Sequence, residues 1–94
     1  MEHGNTRRLV LRTNDLTWRS VGDEVVVLDL GASAYFTLNG SAATLWPALV
    51  EGTTVPDLEL LLRTTYDIDE QTAAADVAAF VADLSKQGML ASDV

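Results

Sequence analysis

The sequence predicts an α+β fold in which a three-stranded antiparallel sheet is followed by three helices. Strand-like patterns occupy residues 16–38, and the loops between them are too short for the crossovers that parallel strands need. Apolar residues recur at helical spacing over residues 42–87. A block of strands followed by a block of helices is typical of this class.

The three strands are predicted from alternation and composition. Leu16–Val21 alternates apolar and polar residues with a period of two, as a half-buried strand does. After a turn at Gly22-Asp23, the second strand, Glu24–Leu30, contains three consecutive β-branched valines. Residues 31–33 make a tight connection to the third strand, which is predicted at Ala34–Leu38.

The first two helices are predicted from capping signals. Ser41 is a good N-cap for a helix over Ala42–Val50, and Pro47 inside that helix predicts a kink or irregularity. The second helix is predicted to start after Thr54, which precedes an acidic residue by three positions with proline in the first turn. It runs to about Tyr66.

The third helix is predicted over residues 70–87. The negative charges of Asp67, Asp69 and Glu70 complement the positive N-terminal end of the helix dipole, and Gly88 is placed as the C-cap. Its apolar stripe contains Val77, Phe80, Val81 and Leu84. Met89 and Leu90 are expected to pack back against the core.

Residues 15–91 are predicted to form one domain, preceded by a flexible N-terminal tail, residues 1–14, in which residues 9–11 are a candidate short strand. The chain has no cysteine, no secretory signal pattern and no apolar stretch near the roughly 20 residues that span a membrane, so a cytoplasmic protein is expected. A net charge of −8 repels phosphate backbones and anionic lipid. This acidity favours a protein or peptide partner, unless it only keeps a small protein in solution.

No group of residues predicts catalysis. The one histidine, His3, lies in the predicted tail, so nucleophilic catalysis would lack a base. The cluster Asp67-Ile68-Asp69-Glu70 fails as a calcium loop, because Thr72 stands where an EF-hand needs glycine and Ala78 where it needs the bidentate glutamate. We therefore expect neither an enzyme nor a bound metal or cofactor.

Three helices beside a small sheet also fit a winged-helix nucleic-acid binder. The charges argue against it, because the third helix carries Asp76 and Asp83 on its exposed flank, where a recognition helix needs arginine or lysine. The remaining candidate is the third strand, whose free edge can accept an extended peptide as an added strand. The protein itself or a second copy could instead cover that edge.

Several segments resemble, in their order and spacing, the PqqD-like proteins, also called RiPP precursor peptide recognition elements, where a RiPP is a ribosomally synthesised and post-translationally modified peptide. The resemblance spans about residues 16–90, whereas the polar tail and Pro47 depart from it. It is carried by GDEVVVLD at 22–29, YFTLN at 35–39, SAA followed by LW at 41–46, GTTV at 52–55, Tyr66, the stripe from Asp76-Val77 to Leu84, and GML at 88–90.

The resemblance implies a fold akin to a winged helix-turn-helix and a protein that is not an enzyme. Family members bind the leader part of a precursor peptide and present it to modifying enzymes. The leader pairs antiparallel with the third strand, in the groove between that strand and the third helix. Carried onto this chain, the implied peptide-binding residues are Ser33, Ala34, Tyr35, Phe36 and Thr37 on the strand side, and Asp76, Ala79, Phe80 and Asp83 on the helix.

The resemblance also implies roles for these residues. The backbone of residues 34–37 would bond the leader, and small Ala79 would let the peptide approach the helix. Phe80 would either wall an apolar pocket or belong to the core, and both alternatives stay open. Asp76 and Asp83 would meet a basic leader residue.

Among freestanding members, the chain looks most like those of lasso peptide biosynthesis, which work with a separate leader peptidase and a cyclase. One alternative is a peptide chaperone for a radical enzyme, as in the pyrroloquinoline quinone pathway. The resemblance names neither the precursor nor the oligomeric state.

Overall fold

The computed structural model describes residues 8–12 and 14–91. The predicted class is confirmed, because an antiparallel sheet precedes the helices. The elements are β1 (Leu16–Val21), β2 (Glu24–Asp29), β3 (Ala34–Leu38), α1 (Gly40–Glu51), α2 (Val55–Tyr66) and α3 (Glu70–Lys86).

The sheet is a meander with the strand order β1-β2-β3. The register places Phe36 opposite Val27 and Tyr35 opposite Leu28. Val27 is fully buried, whereas 71% of Tyr35 is exposed, so odd and even positions of β3 lie on opposite faces of the sheet. Within the described residues, β3 pairs with β2 alone, and its other edge has no strand partner.

The start of α1 corrects one prediction. The N-cap is Asn39, not Ser41, and α1 begins at Gly40. Asn39 has the extended backbone of a cap, and its carbonyl oxygen accepts the Ala43 N–H at 3.4 Å, so Ser41 lies inside the first turn. Pro47 lies inside the helix, as predicted.

The other two helices begin at caps close to those predicted. Thr54 Oγ1 accepts the Asp57 N–H at 3.3 Å at the start of α2, and Asp69 Oδ1 accepts the Thr72 N–H at 2.8 Å at the start of α3. Hydrogen bonding from the Thr72 side chain and backbone lowers the pKa of Asp69. The C-cap of α3 is Gln87, one residue before the predicted Gly88, and Gly88 follows it in a left-handed conformation with φ at +73°.

The hydrophobic core lies between the inner face of the sheet and the helices. Trp18 of β1 packs edge-to-face against buried Trp46 of α1, with ring centroids 5.6 Å apart. The other buried apolar side chains are Leu9, Leu11, Leu16, Val25, Val27, Leu45, Leu49, Leu58, Leu62, Ala73, Val77, Phe80, Leu84 and Met89.

Part of the segment predicted as a flexible tail contributes to this core. Leu9 and Leu11 are only 6% and 3% exposed. The candidate strand there takes the form of two isolated antiparallel bridges, from Leu9 to Thr53 and from Leu11 to Leu90. The domain boundary after residue 14 stays a prediction, but the core that the structure describes extends across it.

Candidate functional site

A groove of about 400 Å³ lies between β3 and the C-terminal half of α3. Residues from β3, α1, α3 and the segment that follows α3 line it. They are Phe36, Thr37, Leu38, Asn39, Ala42, Phe80, Asp83, Leu84, Gln87 and Met89.

The strand side of the groove has an unpaired edge held between a tight turn and the start of α1. In an antiparallel ladder, alternate residues bond to the neighbouring strand, and the rest direct their N–H and C=O groups away from it. On β3 those outward groups have no strand partner among the described residues. Ser33, with φ at +54°, ends the turn before β3, and Asn39, the N-cap of α1, follows β3 directly. The length of the pairing edge is therefore set at both ends.

The helix side of the groove follows from helical spacing. Phe80, Asp83, Leu84 and Gln87 are related by three, four and seven positions and so lie on one face. Phe80 is 9% exposed, packs in the core and also lines the groove. Phe80 therefore belongs to the core and also lines the groove, and its contact with a leader side chain stays a prediction.

Among the described residues that line the groove, Asp83 is the only charged one. The other lining residues are apolar or neutral, and they include two phenylalanines, two leucines and a methionine. The groove can therefore bury apolar side chains of an extended chain, offer backbone hydrogen bonds at β3 and pair with one cationic group.

The structure places four of the nine predicted site residues in the groove lining: Phe36, Thr37, Phe80 and Asp83. Asp76 and Ala79 are exposed on α3 and lie outside the lining. Ser33, at the end of the turn before β3, and Ala34 and Tyr35, at the start of β3, also lie outside the lining. Contact between these residues and a peptide stays a prediction.

Six lining residues were not predicted. Leu84 and Gln87 could have been found by extending the helical spacing from Phe80 toward the C-terminus. Leu38 and Asn39 follow the predicted Thr37 directly, as the last residue of β3 and the N-cap of α1. No local signal places Ala42 or Met89 there, because the packing of α1 and of the chain after α3 decides their positions. The full set of additions is Leu38, Asn39, Ala42, Leu84, Gln87 and Met89.

A second cavity, of about 490 Å³, lies at the β1–β2 turn, beside the start of α1 and the end of α2. Thr44 and Tyr66 line it and share a hydrogen bond of 2.6 Å between their hydroxyl oxygens. No residue of β3 lines this cavity. It therefore lies apart from the β3 edge and its groove.

Among residues 8–12 and 14–91, no group of three or more histidine, aspartate or glutamate side chains is placed to hold a metal ion. In the same part of the chain, no helix has the length and apolar character needed to cross a membrane. The lone histidine, His3, lies outside the described residues.

Comparisons with known proteins point to one family. The family described as coenzyme PQQ synthesis protein D (PqqD) matches residues 24–90. The curated proteins contain no match to the chain.

Two solved structures share the fold. One is TbiB1 in complex with the TbiA(beta) leader peptide, with a TM-score of 0.79 and 24% identity over 87% of this chain and 95% of that chain. The other is lasso peptide synthetase B1 complexed with the leader peptide. Its TM-score is 0.78, with 27% identity over 89% of this chain and 98% of that chain.

Proposed function

This chain belongs to the PqqD family, and from that premise we propose that it binds the leader segment of a ribosomally synthesised precursor peptide by strand addition at β3. The family expected from the sequence motifs is confirmed by the match over residues 24–90. The observation that carries the proposal is the open edge of β3 beside an apolar groove. The two structures of the same fold are both complexes with leader peptides.

The leader adds antiparallel to β3, and its backbone bonds to residues 34–37. Alternate leader side chains point into the groove, where Phe36 and Phe80 supply apolar walls. A basic leader residue pairs with Asp83. A strand of about ten residues with a few such anchors reaches nanomolar to micromolar affinity, about −8 to −12 kcal/mol.

The protein then delivers the bound leader to modifying enzymes, a leader peptidase and a cyclase, in lasso peptide biosynthesis. It performs no chemistry itself, since strand pairing uses mainly backbone groups. The likeness to lasso peptide synthetase B1 supports this pathway over a chaperone for a radical enzyme. A cytoplasmic location stays a prediction from the sequence.

Fluorescence anisotropy with a labelled leader peptide, taken from a precursor encoded beside this gene, tests the proposal. The parent protein should bind near stoichiometrically at micromolar concentration. Phe36→Pro should abolish binding, because proline removes a backbone N–H and distorts the strand that the leader pairs with.

Arg19→Pro is the matched control, because it places proline in β1, at the opposite edge of the sheet. Circular dichroism establishes that both variants fold. Strand addition at β3 is wrong if folded Phe36→Pro binds the leader as tightly as the parent.

The alternative functions give different results in the same assay. Leader binding should weaken little with salt, whereas a nucleic-acid binder would bind duplex DNA with steep salt dependence. A protein that uses the β3 edge for self-association would form a dimer that competes with the leader, which sedimentation velocity detects.

A further inference from the structure

We propose that Arg12 is a positioning residue for the groove, because its ion pair with Asp29 ties the turn that leads into β3 to the segment that follows α3. This inference rests on the proposed leader-binding function. Arg12 lies outside the groove lining and within the segment that the sequence predicted to be a flexible tail.

Asp29 connects the ion pair to the start of β3. It ends β2 and is only 3% exposed. Its Oδ2 accepts a hydrogen bond from Arg12 Nη2 at 2.8 Å, and its Oδ1 accepts the Ala32 N–H at 3.2 Å. The second bond closes the turn that leads into β3 through Ser33. The carboxylate therefore sets where the pairing edge begins.

Arg12 connects the same ion pair to the other wall. Its Nε donates to the Gly88 carbonyl oxygen at 2.9 Å, and its backbone N–H donates to the Met89 carbonyl oxygen at 2.7 Å. Met89 is buried and lines the groove. The arginine therefore holds the chain reversal after α3, and with it a groove-lining side chain.

The guanidinium is suited to this role because its donors point in fixed, different directions. Nη1 takes a third partner, the Asn14 carbonyl oxygen at 2.6 Å. A lysine at this position can keep the charge, but its single ammonium cannot reach the same three acceptors in fixed geometry. By contrast, the pair between Arg63 and Glu70 has a 3.9 Å separation and exposed side chains, and it lies away from the groove.

If this link is removed, the apolar core remains, but the β3 entry turn and the Met89 segment are free to move apart. A leader then binds only the fraction of molecules in which both walls are in place, and its apparent affinity falls by that fraction. If about one molecule in ten is competent, the dissociation constant rises about tenfold.

Leader anisotropy on Arg12→Lys and Asp29→Asn, with thermal unfolding measured in parallel, tests this. Asparagine has nearly the same shape as aspartate and keeps Oδ1 as the acceptor for the Ala32 N–H. Asp29→Asn therefore tests the ion pair independently if Arg12→Lys does not fold. Both should weaken leader binding by about tenfold at a temperature where they are fully folded. Amide hydrogen exchange should accelerate at Ala32 and Met89 in the free variants.

Two controls separate positioning from general stability. Leu62→Val destabilises the core through α2, away from the groove, and Arg63→Gln breaks an ion pair on the surface. Both should keep leader affinity within about twofold of the parent, as expected for uncoupled sites. The inference is wrong if Arg12→Lys binds the leader as tightly as Leu62→Val does. If the parent binds no leader, the proposed function fails instead. In that case, unchanged hydrogen exchange at Ala32 and Met89 in the variants would also refute the positioning role.

Discussion

Phe36 of β3 and Phe80 of α3 line the same groove from opposite walls, although they are far apart in the sequence. Phe36 is half-buried and Phe80 almost fully buried. Each ring therefore serves two purposes, because one part packs against the core and the remainder faces the groove. A leader side chain that enters between them meets apolar surface on both sides.

Phe80→Leu should weaken leader binding several-fold while the domain stays folded. The change keeps an apolar residue but removes ring surface from both the core and the groove, which costs about 1–2 kcal/mol of unfolding free energy. Anisotropy titration and thermal unfolding measure the two effects separately. Val77→Ala is the control, because Val77 is buried in α3 but does not line the groove. If Phe80→Leu binds the leader as tightly as the parent, Phe80 does not contribute to leader binding.

Asp83→Asn should weaken binding of a leader that carries a basic residue, by up to about 1 kcal/mol, since the pair is exposed to water. Asp76→Asn should have less effect, because Asp76 lies outside the groove lining. Titrations at low and moderate salt measure both variants. A larger loss in Asp76→Asn than in Asp83→Asn would show that the leader extends along α3 toward its N-terminus.

Tyr35→Ala should leave thermal stability almost unchanged, because 71% of Tyr35 is exposed on the outer face of the sheet. Leader binding should weaken only modestly, by the roughly 0.2–1 kcal/mol of one cross-strand side-chain pair. The comparison with Phe36→Pro in the same titration separates side-chain from backbone contributions. Complete loss of binding in Tyr35→Ala would mean that this side chain, and not the strand backbone, is the main anchor.

Asp69→Ala should lower the melting temperature at neutral pH, because it removes the N-cap of α3. The pKa of Asp69 is lowered in the folded protein, so this stabilisation is present above the pKa of the unfolded carboxyl and is lost as pH falls through the folded one. Melting curves of parent and variant should therefore converge in acid. Asp76→Asn, which changes no cap, is the control, and a difference that persists at low pH would contradict the assignment.

Local signals predicted most of the fold. Period-two alternation placed β1 at its observed bounds, and the tight connection at 31–33 placed the start of β3. The valine run placed β2, whose observed end is Asp29, one residue before the predicted Leu30. The Thr54 cap placed the start of α2. The start of α1 was misplaced because Asn39 and Ser41 are both good caps. The choice depends on where β3 stops pairing, and Leu38 is the last paired residue.

The groove was only partly predictable. The free edge of β3 followed from its place at the end of a meander, and the family resemblance pointed to α3 as the opposite wall. How far along α3 the groove runs depends on how the helix packs beside the sheet. The observed lining accordingly starts at Phe80 and runs toward Gln87, whereas the predicted set extended back to Asp76.

By itself, the sequence determined the order of the elements, the open strand and the family, because each is encoded in patterns a few residues long or in their spacing. Only the tertiary structure decided that Leu9 and Leu11 belong to the core, that Met89 lines the groove and that Arg12 pairs with Asp29. These contacts join the two ends of the described chain to the sheet. No periodic pattern specifies them, because they depend on how the segments before β1 and after α3 pack against the rest of the chain.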